Sequence, residues 1–295
     1  MPSEPAAPDR APGDFEAKLA ELRRLAESDP ADARLQYALS EGWLGIAHVR
    51  RARNNAHGEH EATEAALEIL RRLTESHPDN KGWLRALLVV WIEAERIRKA
   101  RGDLAGAEAA CEAQLALRLL LTKGSRDAVD WQWSLSAVWT RLGGIREARG
   151  NLPGAEEAYA SALAIWRTVT GGDPYNLRWQ RELADAWGNV ARIRERRGDR
   201  AGVLEAHDAG LAVRRNLARL DPANAGWRRD QVRLHLRVAE LLDEPAGAHR
   251  HRREAHQLLR GLRDNQNHLD DEEQRTLDDL EARLGAGGGG AASGR

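Results

Sequence analysis

Apolar residues recur along most of the chain at intervals of three and four. Trp83, Leu87, Trp91, Ala94 and Ile97 form one such series, and Trp131, Leu135, Trp139, Leu142 and Ile145 form another. That spacing places each series on a single face of a helix, so each predicts one amphipathic helix with one buried stripe. A second kind of segment follows each: Ala107, Ala110, Cys111, Leu115, Leu117 and Leu121, then Ala155, Ala158, Tyr159, Leu163, Ile165 and Val169. Small residues in these segments allow close helix contact. No alternating apolar and polar run competes, so an all-α fold is expected.

The segments repeat with a fixed period. Trp43, Trp91, Trp139 and Trp187 are spaced by 48 residues, as are Trp83, Trp131, Trp179 and Trp227. The same period holds Gly58, Gly106, Gly154 and Gly202 in register, together with Ala62, Ala110, Ala158 and Ala206 and with Leu67, Leu115, Leu163 and Leu211. Punctuation divides each unit in two. Arg101-Gly102-Asp103, Arg149-Gly150-Asn151 and Arg197-Gly198-Asp199 read as a helix end, a glycine cap and the N-cap of the next helix. Asp29-Pro30, His77-Pro78, Asp173-Pro174 and Asp221-Pro222 are expected to open new helices, with Asp as cap and Pro in the first turn. Each unit is then a helix hairpin, and since a lone hairpin cannot bury both faces, the hairpins must stack into an α-solenoid.

Within Trp139-x2-Leu142-Gly143 and Ala155-x3-Tyr159-x2-Ala162 the spacing resembles the signature of the tetratricopeptide repeat. The third unit carries it most fully; the second has Trp91, Ala94, Glu95, Ala107 and Cys111, and the fourth Trp187, Val190, Ala191, Val203, His207 and Gly210. The period exceeds the usual ~34 residues, and the extra length is placed as about two turns on each side of the signature. Long-helix repeats of this kind are similar to those of bacterial multidomain signalling proteins. The resemblance implies a right-handed superhelical arch over about residues 14–263, and specifies a fold rather than an activity.

The period also sets expected boundaries. Residues 14–28 form a half-repeat, repeats cover about 29–76, 77–124, 125–172, 173–220 and 221–263, and residues 264–284 form a polar capping helix. Residues 1–13 are rich in Pro and Ala and 285–295 in Gly, so both are expected to be flexible tails.

Composition narrows function. The 295 residues carry a formal charge of −1, which gives no whole-chain field for polyanions, and 42% hydrophobic residues, which suffice for a large core. Mean hydropathy is −0.63 with no apolar run long enough for a membrane span. Met1-Pro2-Ser3-Glu4-Pro5 has neither the basic start nor the apolar stretch of a secretory signal, and a cytoplasmic location is expected. The one cysteine, Cys111, lies in a packing column and is expected to be a buried, inert thiol. Lysine occurs only at Lys18, Lys81, Lys99 and Lys123; every other basic residue apart from histidine is arginine.

Chemistry is sparse. His57-x2-His60 and His249-x-His251-x4-His256 are the tightest histidine groups, but the first sits in a variable turn and the second in an arginine-rich run, so no metal site is expected. No phosphate loop, nucleophile elbow or paired-carboxylate motif occurs, so neither a cofactor nor an enzymatic activity is expected. Two ladders stand out: Arg50, Arg98, Arg146 and Arg194, each followed three residues later by Arg53, Arg101, Arg149 and Arg197. Their first reading is structural, with helix C-termini and with Glu108, Glu112 and Glu156 as partners. Acidic-peptide binding is the second, and a track for nucleic-acid phosphates the third, which Glu93, Glu147 and Glu195 dilute.

The resemblance further implies a groove along the first helices. Carried onto this sequence, its columns are Val89, Ile92, Arg96 and Lys99; Ala137, Thr140, Gly144 and Glu147; and Asp185, Gly188, Arg192 and Glu195, with His48 and Arg51 extending the row. The Lys and Asn set that chaperone-tail clamps use is missing. Small residues leave room at the centre, and Arg96 and Arg192 flank it, so a helix or extended segment bearing acidic side chains would fit. Trp133 and Trp166 fall outside the repeated columns and are candidate exposed anchors. The expected function is a non-catalytic, protein-binding scaffold or adaptor, serving as sensory or regulatory subunit of a separately encoded effector. A nucleic-acid-binding solenoid and a structural homo-oligomer are the alternatives; the oligomeric state is open.

Overall fold

The computed structural model describes residues 12–121, 129–265 and 268–288. Among them the chain is helical throughout, with twelve helices and no strand. In order these are α1 (Pro12–Ser28), α2 (Ala33–Ala52), α3 (Ala56–Ser76), α4 (Lys81–Ala100), α5 (Leu104–Leu121), α6 (Val129–Ala148), α7 (Leu152–Gly172), α8 (Leu177–Arg196), α9 (Arg200–Leu220), α10 (Ala225–Leu241), α11 (Pro245–Asp264) and α12 (Asp271–Gly288). Successive helices pack as hairpins, α2 on α3, α4 on α5, α8 on α9 and α10 on α11, and hairpin stacks on hairpin through α3–α4, α7–α8 and α9–α10. The fold is an α-solenoid of antiparallel hairpins. α1 and α12 reach into the segments expected as tails; the rest of both tails lies outside the described residues.

Two compact units result. One runs to Trp131 and includes Gly144–Arg149; the other comprises Gln132–Gly143 and the chain from Gly150 onward. The core of the first gathers Ile46, Ala62, Leu70, Leu87, Val90 and Ala94. That of the second gathers Ala155, Tyr159, Trp166, Val190, Ile193 and Leu217, with Leu259, Leu262 and Leu277 packed where α12 covers α11.

The turns within hairpins behave as their sequence dictates. Gly102, Gly150 and Gly198 take φ of +79°, +79° and +75°, a region that costs a side chain energy and glycine nothing. In the first hairpin Asn54 occupies that column at +56°, a conformation that Asn tolerates better than most residues with a Cβ. Downstream, Asn55, Asp103, Asn151 and Asp199 each accept a bond from the amide three residues on, at 2.9, 2.8, 3.0 and 2.9 Å.

The turns between hairpins differ from expectation. Asp29, His77, Asp173 and Asp221 close the preceding helix rather than opening the next; His77, Asp173 and Asp221 are C-caps. The carbonyls of Asp29, His77, Asp173 and Asp221 accept from the amides of Asp32, Asn80, Asn176 and Asn224 at 3.3, 3.1, 3.4 and 3.3 Å. Proline thus sits second in a four-residue turn, where its fixed φ is suited. The N-caps are the fourth residues, Asp32, Asn80, Asn176 and Asn224.

The tryptophans also separate in an unexpected way. The repeated indoles Trp43, Trp83, Trp91, Trp179, Trp187 and Trp227 are only partly buried and lie against the core clusters. Trp166, expected as an exposed anchor, is 3% exposed and forms part of the core, so it binds nothing from outside. Its column holds Leu70, Arg118 and Arg214 in the other units, which is why the period says nothing about its burial.

Candidate partner-binding surface

The first arginine ladder is committed to the fold. Arg50, Arg98 and Arg194 donate through Nη1 to the carbonyls of Gly58, Gly106 and Gly202 at 2.8, 3.2 and 3.0 Å, tying each first helix to the start of its second. Guanidinium groups of the same ladder reach back to the preceding hairpin. Arg98 holds Glu64 at 2.8 and 3.0 Å, Arg146 holds Glu108 at 2.8 Å and Glu112 at 3.0 Å, and Arg194 holds Glu156 at 3.0 Å. In the second ladder Arg149 joins Glu108 and Arg197 joins Glu156. Burial pushes the Glu108 carboxyl up, yet hydrogen bonds from Arg146 and Arg149 hold it below its usual range. The rungs at Arg98 and Arg194 thus clamp three helices each, a role that charge-assisted bonds suit.

In the first unit, the expected row lies along the outer faces of α2 and α4. His48, Arg51 and Lys99 are exposed, and Val89 and Ile92, 48% and 36% exposed, interrupt an otherwise polar surface. Arg96 is not the free cation expected. It bonds the buried Glu59 of α3 and, at 2.9 Å, Glu93, while Arg51 approaches the same Glu93 at 3.6 Å. Glu93 and Glu59 therefore bring Arg51 and Arg96 together beside Ile92. Gly144 and Glu147 of α6 are half-buried.

In the second unit, Asp185, Gly188, Arg192 and Glu195 are exposed on one face of α8, while Ala137 and Thr140 of α6 are half-buried. Arg192 is held: its Nη2 donates to the Tyr159 hydroxyl at 3.0 Å and to Asn189 at 3.2 Å, and the guanidinium lies 5.4 Å from the Tyr159 ring centre. Glu195 pairs with Arg237 of α10. Trp133 is 43% exposed, and Arg178 stacks over it at 4.9 Å, a cation–π arrangement.

Two further features stand out. A cleft of about 340 Å³ between α8, α9 and α10 is lined by Arg181, Asp185, Arg214, Trp227, Asp230 and Arg233. Desolvation in the cleft pushes the Asp185 carboxyl up against the pull of Arg214 and Arg181, and burial lowers Arg214. Arg214 stands in the column that holds Trp166 one unit earlier, a signal available in the sequence. The other feature is His235, which takes the place of the repeated Trp in α10. It is 1% exposed and lies Nδ1 to Nδ1 at 3.0 Å from the half-buried His251 of α11.

Cys111 of α5 is fully buried. His57 pairs with Glu61 at 3.1 Å and His60 approaches Glu64 at 3.8 Å. No described helix is long and apolar enough to cross a membrane.

The fold defines the class: a helix-hairpin solenoid. No protein-family model matches the chain, and no curated protein matches it. Among solved structures, that of the S. pombe nuclear import adaptor Nro1 is similar, with 13% identity, 91% of each chain covered and a TM-score of 0.58. A second Nro1 structure gives 13% identity, coverage of 91% of this chain and 86% of that one, and a TM-score of 0.55. At this identity the likeness is one of fold.

Proposed function

We propose that the chain is a non-catalytic, protein-binding scaffold that docks an extended or helical segment of a partner on the faces of its first helices, as the tetratricopeptide resemblance implies. The observation that carries this reading is the exposure of Val89 and Ile92. They stand on α4 beside Arg96 and Arg51, whose guanidinium groups are already oriented by Glu59 and Glu93. Exposed apolar residues rimmed by charged side chains of both signs suit an amphipathic segment with a mixed-charge rim. In the second unit Asp185, Gly188 and Arg192 offer an open, mixed-charge counterpart, and Trp133 an exposed aromatic anchor.

Nro1, the protein of similar fold, is a nuclear import adaptor, and an adaptor or regulatory role in the cytoplasm is the corresponding proposal here. Internal pairing of the Arg ladders leaves few of their donors for nucleic-acid phosphates, which disfavours that alternative. The reading is tested by capture from a lysate of the source organism, comparing the natural chain with a Val89→Glu/Ile92→Glu variant. Both positions are exposed, so folding is retained. Loss of specific captured proteins in the variant is expected; identical sets would show that the α4 face is not the docking surface. A mass that rises with concentration would instead support self-association.

A further inference from the structure

Many arginines of the second unit are paired, although Arg181 of α8 and Arg215 of α9 form no ion pair or side-chain hydrogen bond among the described residues. Arg194 and Arg197 hold Glu156, Arg200 holds Asp243 at 2.6 Å, Arg229 holds Glu273 at 2.7 Å, and Arg237 bonds Glu195 and Glu240. α11 gathers three such unpaired arginines on one helix. His249, Arg253, His256 and Arg260 follow one another at four, three and four residues, which sets them in one stripe along the helix, with Arg250 at its edge. Arg250, Arg253 and Arg260 form no ion pair or side-chain hydrogen bond among the described residues. The carboxylates nearby are few: Glu281 lies 3.6 Å from His256, Asp264 stands at the far end with Arg263 at 3.8 Å, and Glu254 lies on the flank.

Arg250 and Arg253, three residues apart on α11, are like charges whose repulsion opposes helix formation. Elsewhere this chain relieves such repulsion by interleaving Glu, as with Arg96 and Glu93. On α11 Glu254 stands four residues from Arg250 without pairing with it, so the guanidinium groups of Arg250, Arg253 and Arg260 are left for something outside the fold. Beside the stripe a cleft of about 640 Å³ opens towards the end of α12, with Leu284 on its far wall. At its floor Gly261 has no atom within 4 Å of the place where a Cβ would stand, so a ligand side chain has room.

We propose that the α11 stripe is a second docking surface, and that its occupant is an acidic helical segment of a partner protein. Carboxylates seven residues apart on such a helix repeat at the ~10.5 Å rise that separates Arg253 from Arg260. The cleft is lined by His249, Arg253, His256 and Arg260 with no Trp, Tyr or Phe among the described residues, which leaves bases little to stack on and disfavours single-stranded nucleic acid. With a net charge of −1 on the whole chain, the attraction is local to this face.

The test is fluorescence anisotropy of the full chain with a labelled synthetic helix bearing Glu at three- and four-residue spacing. A scrambled peptide of equal charge and a DNA single strand of equal charge serve as comparison probes. Arg253→Glu/Arg260→Glu, checked for native helicity, is expected to weaken binding at least ~tenfold, and raising salt from about 50 to about 200 mM to weaken it strongly. The milder Arg253→Ala/Arg260→Ala should fall between. Val89→Glu/Ile92→Glu should bind the helix as the natural chain does, so this inference and the proposed role of α4 fail separately. Absence of binding, equal binding by the charge-reversal variant, or preference for the scrambled peptide or the DNA would overturn the proposal.

Discussion

A methyl group at position 143 would stand 2.6 Å from the Tyr159 ring, closer than packed atoms approach. Gly143 of α6 thus lies directly against Tyr159 of α7, and the Tyr159 hydroxyl in turn accepts the bond from Arg192. Core close approach and surface geometry are linked in one side chain. Gly143→Ala is expected to destabilise by about 1–3 kcal/mol through overpacking, with Arg192 displaced. Denaturant unfolding checks it; an unchanged midpoint would mean that Tyr159 can rotate away at little cost.

Trp166→Ala should cost about 3–5 kcal/mol, the value for a fully buried aromatic. Trp139→Ala should cost less, because that indole is only partly buried. In a solenoid either change can unfold part of the array, so helicity and tryptophan fluorescence are to be followed together. The reverse order of effects would contradict the burial described.

This pair shows what the sequence conveys. The 48-residue period identifies helices, glycine caps and the Arg–Glu rungs, because all of them rest on local geometry repeated in register. Gly102, Gly150 and Gly198 and the carboxylate partners of Arg146 and Arg194 are legible for that reason. Burial at a position occupied by Trp only once, such as Trp166, depends on neighbours the period does not specify. The inter-hairpin caps lie three residues beyond the expected ones because Asp-Pro suits either a helix start or a turn, and only the amide bonds of Asn80, Asn176 and Asn224 decide between them. At the candidate surface, the exposure of the α4 and α8 rows follows from helical periodicity. The attachment of Arg96 to Glu59 does not, since the pair has no counterpart in the other units, where the Glu59 column holds Ala107, Ala155 and Val203.

That attachment bears on mutagenesis. Arg96→Glu leaves the buried Glu59 carboxylate without its cation and adds a second negative charge beside it. A loss of about 1–3 kcal/mol is expected, the cost of stranding a buried polar group. Unchanged urea unfolding would show that Arg96 is free after all, and would make it a cleaner probe of binding than Val89 or Ile92.

The buried His235 and its half-buried neighbour His251 give the chain a pH dependence. Burial, with His251 and Arg215 adding to it, pushes the His235 pKa down to about 4. Burial lowers His251 as well, with Arg250 and Arg215 in the same direction and Asp208 and Glu254 opposing them. In the unfolded chain both titrate near ~6.5, so the folded state binds fewer protons between ~6.5 and about 4. Stability is therefore full above ~6.5 and falls as pH drops through that window, by up to about 3 kcal/mol at His235. Urea unfolding near pH ~7.5 and pH ~5 should show the fall, and His235→Leu should flatten it. An equal fall in that variant would place the titration elsewhere.

Docking of partners on the first-helix face is tested most directly by placing a photo-crosslinking amino acid at position 89 of α4 or at the exposed position 68 of α3, and irradiating each in lysate. A discrete protein adduct is predicted from position 89 and none from position 68; adducts from position 68 alone, or from neither, would contradict docking on that face.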